Sequence, residues 1–311
     1  MHLRYLLSFL RTVRVPGLLP LMTDWRAFVR MHFIFAAYES GLLAALAEPR
    51  DREFLLENLH VERPQILDAL LEVGLAADEL SVKNGLYRIS GKRSRAVAGA
   101  KGDMLAAMIQ ANVTYYSDAY RNLPARLQGG ALGEDLAEIG GVVARFSKIV
   151  DPVIRRFIER AVRNKSPMRV LDVGCGSGLL LRSICGANPC AVGVGLDVDA
   201  SVVRQAQANV NEWGLADRLQ IRHGDVRAIS DGGSTTFDLI TLMNVLYYFA
   251  DDDRARLMSH LRTMLSPTGA LVLAMTFRSE GDDVAAANLN VVNSSLRGLT
   301  PLPSLVDTVA L

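Results

Sequence analysis

V-L-D-V-G-C-G-S-G, residues 170–178, is a short apolar run that carries Asp172 near its end and passes into three glycines at alternate positions. The pattern turns a buried strand into a loop whose bare backbone can lie against a ligand. Gly174, Gly176 and Gly178 have no Cβ, so the chain can turn sharply there and approach a flat or charged molecule closely. The stretch Leu179–Ile184 continues as a helix whose first free N–H groups face the same crevice. A dinucleotide fingerprint requires G-x-G-x-x-G, whereas these glycines fall as G-x-G-x-G, so a pyrophosphate guest is disfavoured.

Working outward, three further apolar runs read as strands that end on polar residues. Ala191–Leu196 closes on Asp197, where a carboxylate can accept from both ribose hydroxyls of a nucleoside. Leu219–Arg222 runs into His223, Gly224 and Asp225, and Phe237–Met243 into Asn244 and the aromatic run Tyr247, Tyr248 and Phe249. A fifth strand is expected at Ala270–Phe277 and the start of a helix at Pro303–Leu311. Strands alternating with helical stretches predict an α/β domain on a parallel sheet.

From about residue 150 onward, these four motifs in this order and spacing resemble the class I S-adenosylmethionine-dependent methyltransferases. The resemblance implies a Rossmann-like parallel sheet that binds S-adenosyl-L-methionine. Asp172 and the loop of Gly174, Gly176 and Gly178 would sit by the methionine end. Asp197, with Val198 beside it, would hold the ribose. Asp225 would accept from the adenine amino group, Val226 would pack on the ring, and Asn244 would help close the other side. For any one of these acids the alternative is a helix or turn cap. The family normally adds two more strands after the fifth; here they are missing, so the chain is either truncated or has its sheet edge covered by a partner.

The first half predicts a mainly helical domain. The stretch Trp25–Glu48 is apolar and helical with a break at Gly41, and Asp51–His60 and Pro64–Val73 read as two short helices, the second closing at Gly74. Leu80–Val82 and Leu86–Ile89 flank Asn84-Gly85, a hairpin signal. Two helices and a hairpin make a winged helix, an arrangement shared with many DNA-binding regulators. Charge argues against nucleic acid, because Pro64–Val73 carries Asp68 and Glu72 and no Lys or Arg. Lys92, Arg93, Arg95 and Lys101 after the wing read as a solvated basic loop. This half is similar to the dimerisation domain of O-methyltransferases, which implies a homodimer. The expected layout is a winged-helix dimerisation domain at 1–100, linking helices at 101–150 that contribute to the substrate pocket, and the cofactor-binding domain at 151–311. Tyr115, Tyr116 and Tyr120, together with the stretch Phe146–Asp151, would offer an apolar wall to a small-molecule acceptor.

Composition sets the remaining bounds. The 311 residues suffice for two cores, and 34 basic against 33 acidic residues leave no global field to draw in nucleic acid or anionic lipid. Cys175, Cys185 and Cys190 have no metal-ligand spacing, which predicts a reduced, cytoplasmic chain without metal. Residues 1–14 form a basic amphipathic pattern, read first as packing on a partner subunit and second as contact with a membrane surface.

The catalytic residue stays open. O-methyltransferases of this type read V-L-H-D-W after the fourth strand, the His acting as general base; here Val245–Phe249 reads V-L-Y-Y-F, with Tyr247 at the His position and Met275 where an orienting acid is expected. Candidates are Tyr247, Tyr115, Tyr116 and His32, with His223 read as structural. A tyrosine with an ordinary pKa of about 10 is a poor base near neutrality, which favours an acceptor O, S, N or C nucleophile that ionises readily. The alternatives are a catalytically idle cofactor-binding protein and a winged-helix regulator.

Overall fold

The computed structural model describes residues 15–134, 142, 145, 151–162, 166–229, 236–278, 281 and 283–311. The amphipathic pattern at 1–14 and residues 146–150 of the expected acceptor wall lie outside them. The chain divides into two compact units, residues 1–118 with 139–149, and residues 119–138 with 150–311.

In the first unit, helix α1 spans Val15–Glu39, starting well before Trp25 and carrying Pro20 inside it. Gly41, in a left-handed conformation with φ 79°, caps the short α2, Leu42–Ala45. Asp51 caps α3, Arg52–Asn58, by accepting from the Phe54 N–H at 2.8 Å. Helix α4 covers Pro64–Ala76 and does not close at Gly74. That glycine serves close packing: an added Cβ would lie 2.6 Å from the Phe33 ring and 2.7 Å from Leu80. The left-handed turn comes four residues later, at Asp78 with φ 60°. The expected hairpin is β1, Leu80–Lys83, paired antiparallel with β2, Leu86–Ile89, and both turn residues, Asn84 and Gly85, have positive φ. Phe33, Leu42, Leu55 and Leu71 form the buried centre of this unit.

Two charge readings change on folding. Lys92–Ala98 is helix α5, not a solvated loop. Its N-terminus is capped by the buried Glu79 carboxylate, which accepts from the Ser94 N–H at 3.0 Å and faces Arg30 and Arg93 at 3.7 and 3.5 Å. Arg95 donates to the Ser90 carbonyl at 2.7 Å. Asp68 of α4 is taken up by a two-pronged bond from Arg52 at 2.6 and 2.9 Å. The unit continues through α6, Gly102–Ala111, into a π-helical turn at Asn112–Tyr116 and then α7, Ser117–Leu127, which runs into the second unit.

The second unit opens with α8, Asp151–Val162, and is built on five parallel strands. They are β3, Met168–Val173; β4, Ala191–Asp197; β5, Leu219–His223; β6, Phe237–Met243; and β7, Leu265–Ala274, in the order β5-β4-β3-β6-β7. The last strand therefore sits earlier than Ala270–Phe277. Helices α9, Leu179–Ala187, and α10, Ala200–Glu212, pack with α8 on one face against Val170, Leu219, Ile221 and Leu239. On the other, α11, Asp251–Met264, brings Leu257 and Leu261 to Leu171, Ile240 and Leu242. Helices α12, Val284–Ser294, and α13, Leu305–Val309, follow, the latter shorter than the expected Pro303–Leu311. Strand order reverses between β3 and its neighbours β4 and β6, which opens a crevice at the carboxyl ends of these strands.

Candidate functional site

The glycine loop sits at that crevice. The Gly174 and Cys175 N–H groups both donate to the Leu196 carbonyl, at 2.8 and 3.0 Å, locking the loop onto the end of β4. Gly174, Gly176 and Gly178 have φ of 69°, 52° and 80°, a region costly for side-chain-bearing residues. A Cβ on Gly174 would meet Val245 at 2.4 Å, so the loop and the segment after β6 abut, whereas one on Gly176 would meet nothing within 4 Å. Asn209 of α10 pins the loop by donating to the Ser177 carbonyl at 3.0 Å.

Asp172 is 2% exposed and accepts from the Thr241 hydroxyl at 2.6 Å. Burial pushes its carboxyl up to about 7; the Thr241 hydrogen bond opposes this and the nearby Asp197 charge adds to it. Asp197 accepts from the Gly176 N–H at 3.1 Å and the Asp199 N–H at 3.0 Å, so one carboxylate ties the loop to the start of α10. Asp199, which the sequence reading passed over, caps α10 by accepting from the Ser201 N–H at 2.7 Å. The next-door Val198 is 68% exposed, and its carbonyl meets His223 Nε2 at 3.0 Å.

At the end of β5, Asp225 caps the 3₁₀ turn Val226–Ala228 and accepts from the backbone and side chain of Arg227 at 2.9 and 3.0 Å. The Arg227 hydrogen bonds hold its carboxyl below the usual range. Arg227, also unread in the sequence, lies 5.3 Å from the Phe249 ring centre, and Val226 is buried. Asn244 follows β6 with φ 56° and donates its N–H to the Ala274 carbonyl at 2.9 Å. The 3₁₀ turn Leu246–Tyr248 comes next, with the Tyr247 and Tyr248 rings 5.1 Å apart. Asp172, Asp197, Asp225 and Asn244 thus stand at or beside the carboxyl ends of β3, β4, β5 and β6.

The other candidates belong to the first unit, apart from Tyr120. Tyr115 and Tyr116 lie in the π-helical turn with ring centres 5.5 Å apart, and burial raises the Tyr116 hydroxyl, which makes it a weaker source of phenolate. His32 Nδ1 lies 2.9 Å from the Phe28 carbonyl, with its ring 3.9 Å from the Phe28 ring. Tyr120, in α7, is 47% exposed. Among the described residues no group of three or more His, Cys, Asp or Glu is arranged to hold a metal ion, and no helix is long and apolar enough to cross a membrane.

The set of acceptors suits an adenosyl amino acid: the buried Asp172 next to a bare loop at Gly176, and carboxylates at two further strand ends, Asp197 and Asp225. Residues 170–269 match the family described as Methyltransferase domain. A ubiquinone biosynthesis O-methyltransferase of Psychrobacter cryohalolentis is 31% identical over 111 residues, 36% of this chain and 42% of that protein. The chain thus spans less than half the length of that relative. Among solved structures, the mitomycin 7-O-methyltransferase MmcR is similar with a TM-score of 0.78 at 19% identity, over 96% of this chain and 91% of that one. CalO1, a methyltransferase in calicheamicin biosynthesis in its SAH-bound form, gives 0.69 at 18% identity, over 95% and 90%. At such identities the likeness is one of fold.

Proposed function

We propose that this chain, whose residues 170–269 are a methyltransferase domain on the fold of the S-adenosylmethionine-dependent methyltransferases, transfers a methyl group to a small-molecule acceptor by in-line displacement. The observation that carries the reading is the row of acceptors along one sheet edge, at Asp172, Asp197 and Asp225, around a glycine loop with positive φ at each of its glycines. When bound, S-adenosylmethionine supplies an electrophilic methyl on a sulfonium, so the leaving group needs no acid. The residues' work is to bind, align and exclude water. Asp172 with Gly174 would lie toward the amino acid end of the cofactor, Asp197 beside Val198 would take the ribose hydroxyls, and Asp225 beside Val226 would take the adenine amino group while sharing its oxygens with Arg227.

Tyr247 and Tyr248 stand where a His base and its neighbour are found in the resembling family, and a tyrosine with the ordinary pKa of about 10 is a poor base near neutrality. The acceptor is therefore one that arrives ionised or ionises readily, such as an acidic phenol, a thiol, a free amine or a stabilised carbanion. Three free cysteines fit a reducing cytoplasm, and Leu21, Trp25 and Phe28, each more than half exposed on α1, fit a homodimer through the first unit. Titration with S-adenosylhomocysteine, followed by mass analysis of a phenol, thiol and amine panel, tests the reading. Binding with a product heavier by one methyl supports it. Binding without any product points instead to an idle cofactor-binding protein.

A further inference from the structure

We propose that Arg254 and Thr300 form a clamp that positions the Leu246–Tyr248 turn at the cofactor rim for methyl transfer; this rests on the methyltransferase reading above. Arg254 is 6% exposed, in the first turn of α11. Its guanidinium pairs with Asp251, donates to the Thr300 hydroxyl at 2.7 Å and the Pro301 carbonyl at 3.3 Å, and reaches the Leu246 carbonyl at 3.4 Å. Thr300 passes the contact on. Its N–H donates to the Tyr247 carbonyl at 2.9 Å, and its hydroxyl lies 2.8 Å from that same carbonyl and 3.3 Å from the Phe249 carbonyl. One buried cation and one hydroxyl thereby tie Thr300 and Pro301 to the turn and the start of α11, 46 residues and more earlier in the chain.

The purpose is legible in what the clamp holds. Burying a guanidinium costs desolvation, which lowers its proton affinity here against the pull of Asp251, and an apolar residue would fill the space more cheaply. What an apolar residue cannot do is fix carbonyl oxygens. The held turn begins next to Val245, which already abuts Gly174 of the cofactor loop. A turn free to rock about Asn244 would carry Tyr247 and Tyr248 out of register with that loop, and misplacement of about 1 Å at a reacting centre costs on the order of a hundredfold in rate.

Thr300→Val keeps the shape and the backbone N–H bond while removing the hydroxyl; Thr300→Ser restores it. Two readouts are taken: amide exchange of residues 245–249 against the Met168–Val173 strand, and kcat with the dissociation constant of S-adenosylhomocysteine. The expected result for Thr300→Val is faster exchange confined to 245–249 and kcat down by about tenfold or more, with cofactor affinity within about threefold. Thr300→Ser should return both to near wild type. Unchanged exchange, or faster exchange with kcat within about twofold of wild type, overturns the clamp, as does a serine variant no better than the valine. A wild-type protein that binds no S-adenosylhomocysteine overturns the methyltransferase reading first, and with it the clamp's catalytic role.

Discussion

Asp172→Asn is expected to make the protein more stable at alkaline pH while impairing its site. Burial moves the Asp172 carboxyl from its ordinary 3.8 up to about 7, so the folded chain holds this proton more tightly than the unfolded chain does. The associated stability is complete below pH 3.8, erodes as pH rises, and is gone above about 7, where the fold must carry a buried carboxylate. At about 1.4 kcal/mol per tenfold change in proton affinity, the whole effect is about 4 kcal/mol, of which about 3 kcal/mol falls between pH 5 and 8.5. Asparagine is close in shape, can accept from Thr241, and does not titrate. Urea unfolding in a Trp25→Phe background makes Trp213, in the second unit, the reporter. The stability difference between the Asp172→Asn variant and its parent should grow by about 3 kcal/mol in the variant's favour from pH 5 to 8.5. Parallel pH profiles for the two proteins would refute the assignment of a buried, proton-binding Asp172.

Other outcomes follow from the same contacts. The Cys175 thiol is pushed up to about 12, first by burial and then by the charges of Asp172 and Asp197. At pH 8 iodoacetamide should therefore label exposed Cys190 and leave Cys175 unlabelled in the folded protein; mass mapping that finds Cys175 labelled at a similar rate would contradict this. Gly74→Ala should destabilise the first unit by about 1–3 kcal/mol in urea unfolding, since its methyl would overlap Phe33 and Leu80; a neutral effect would mean that α1 and α4 are less closely packed. Tyr247→Phe should keep most of kcat, because no proton is taken there, and a loss of about a hundredfold or more would make Tyr247 a catalytic acid or base after all.

Much of the second unit was legible because β3, β4 and β6 are largely apolar runs that end at or beside Asp172, Asp197 and Asn244, and φ-permissive glycines mark the loop that must hold a fixed shape. The fifth strand was misread by its start. Pro267 and Gly269, residue types that usually interrupt strands, lie inside β7, which is an edge strand with a single partner, β6, and an irregular register opposite Phe237 and Leu239, where a missing N–H costs little. Gly74 misled in the opposite way, since a glycine needed for close approach looks in sequence like one needed for a left-handed turn. Helix α12 went unread because asparagines interrupt its apolar pattern, although Asp283 caps it by accepting from the Ala286 N–H at 3.0 Å. The partners of the site acids were hidden for a different reason. Thr241 meets Asp172 across 69 residues and Arg254 meets Thr300 across 46, pairings that only the folded sheet creates. The acids at 172, 197 and 225 were visible individually; that two of them also organise the backbone, Asp197 for the glycine loop and Asp225 for its own turn, was not.

Calorimetric titration of S-adenosylhomocysteine into the wild type and into Asp197→Ala tests the central claim most directly. Saturable binding at one site per chain is expected, weakened in the variant by about 1–3 kcal/mol through lost hydrogen bonds to the ligand and a loosened Gly176. A wild type that gives no binding heat or thermal shift, or a variant that binds as tightly as the parent, would contradict it.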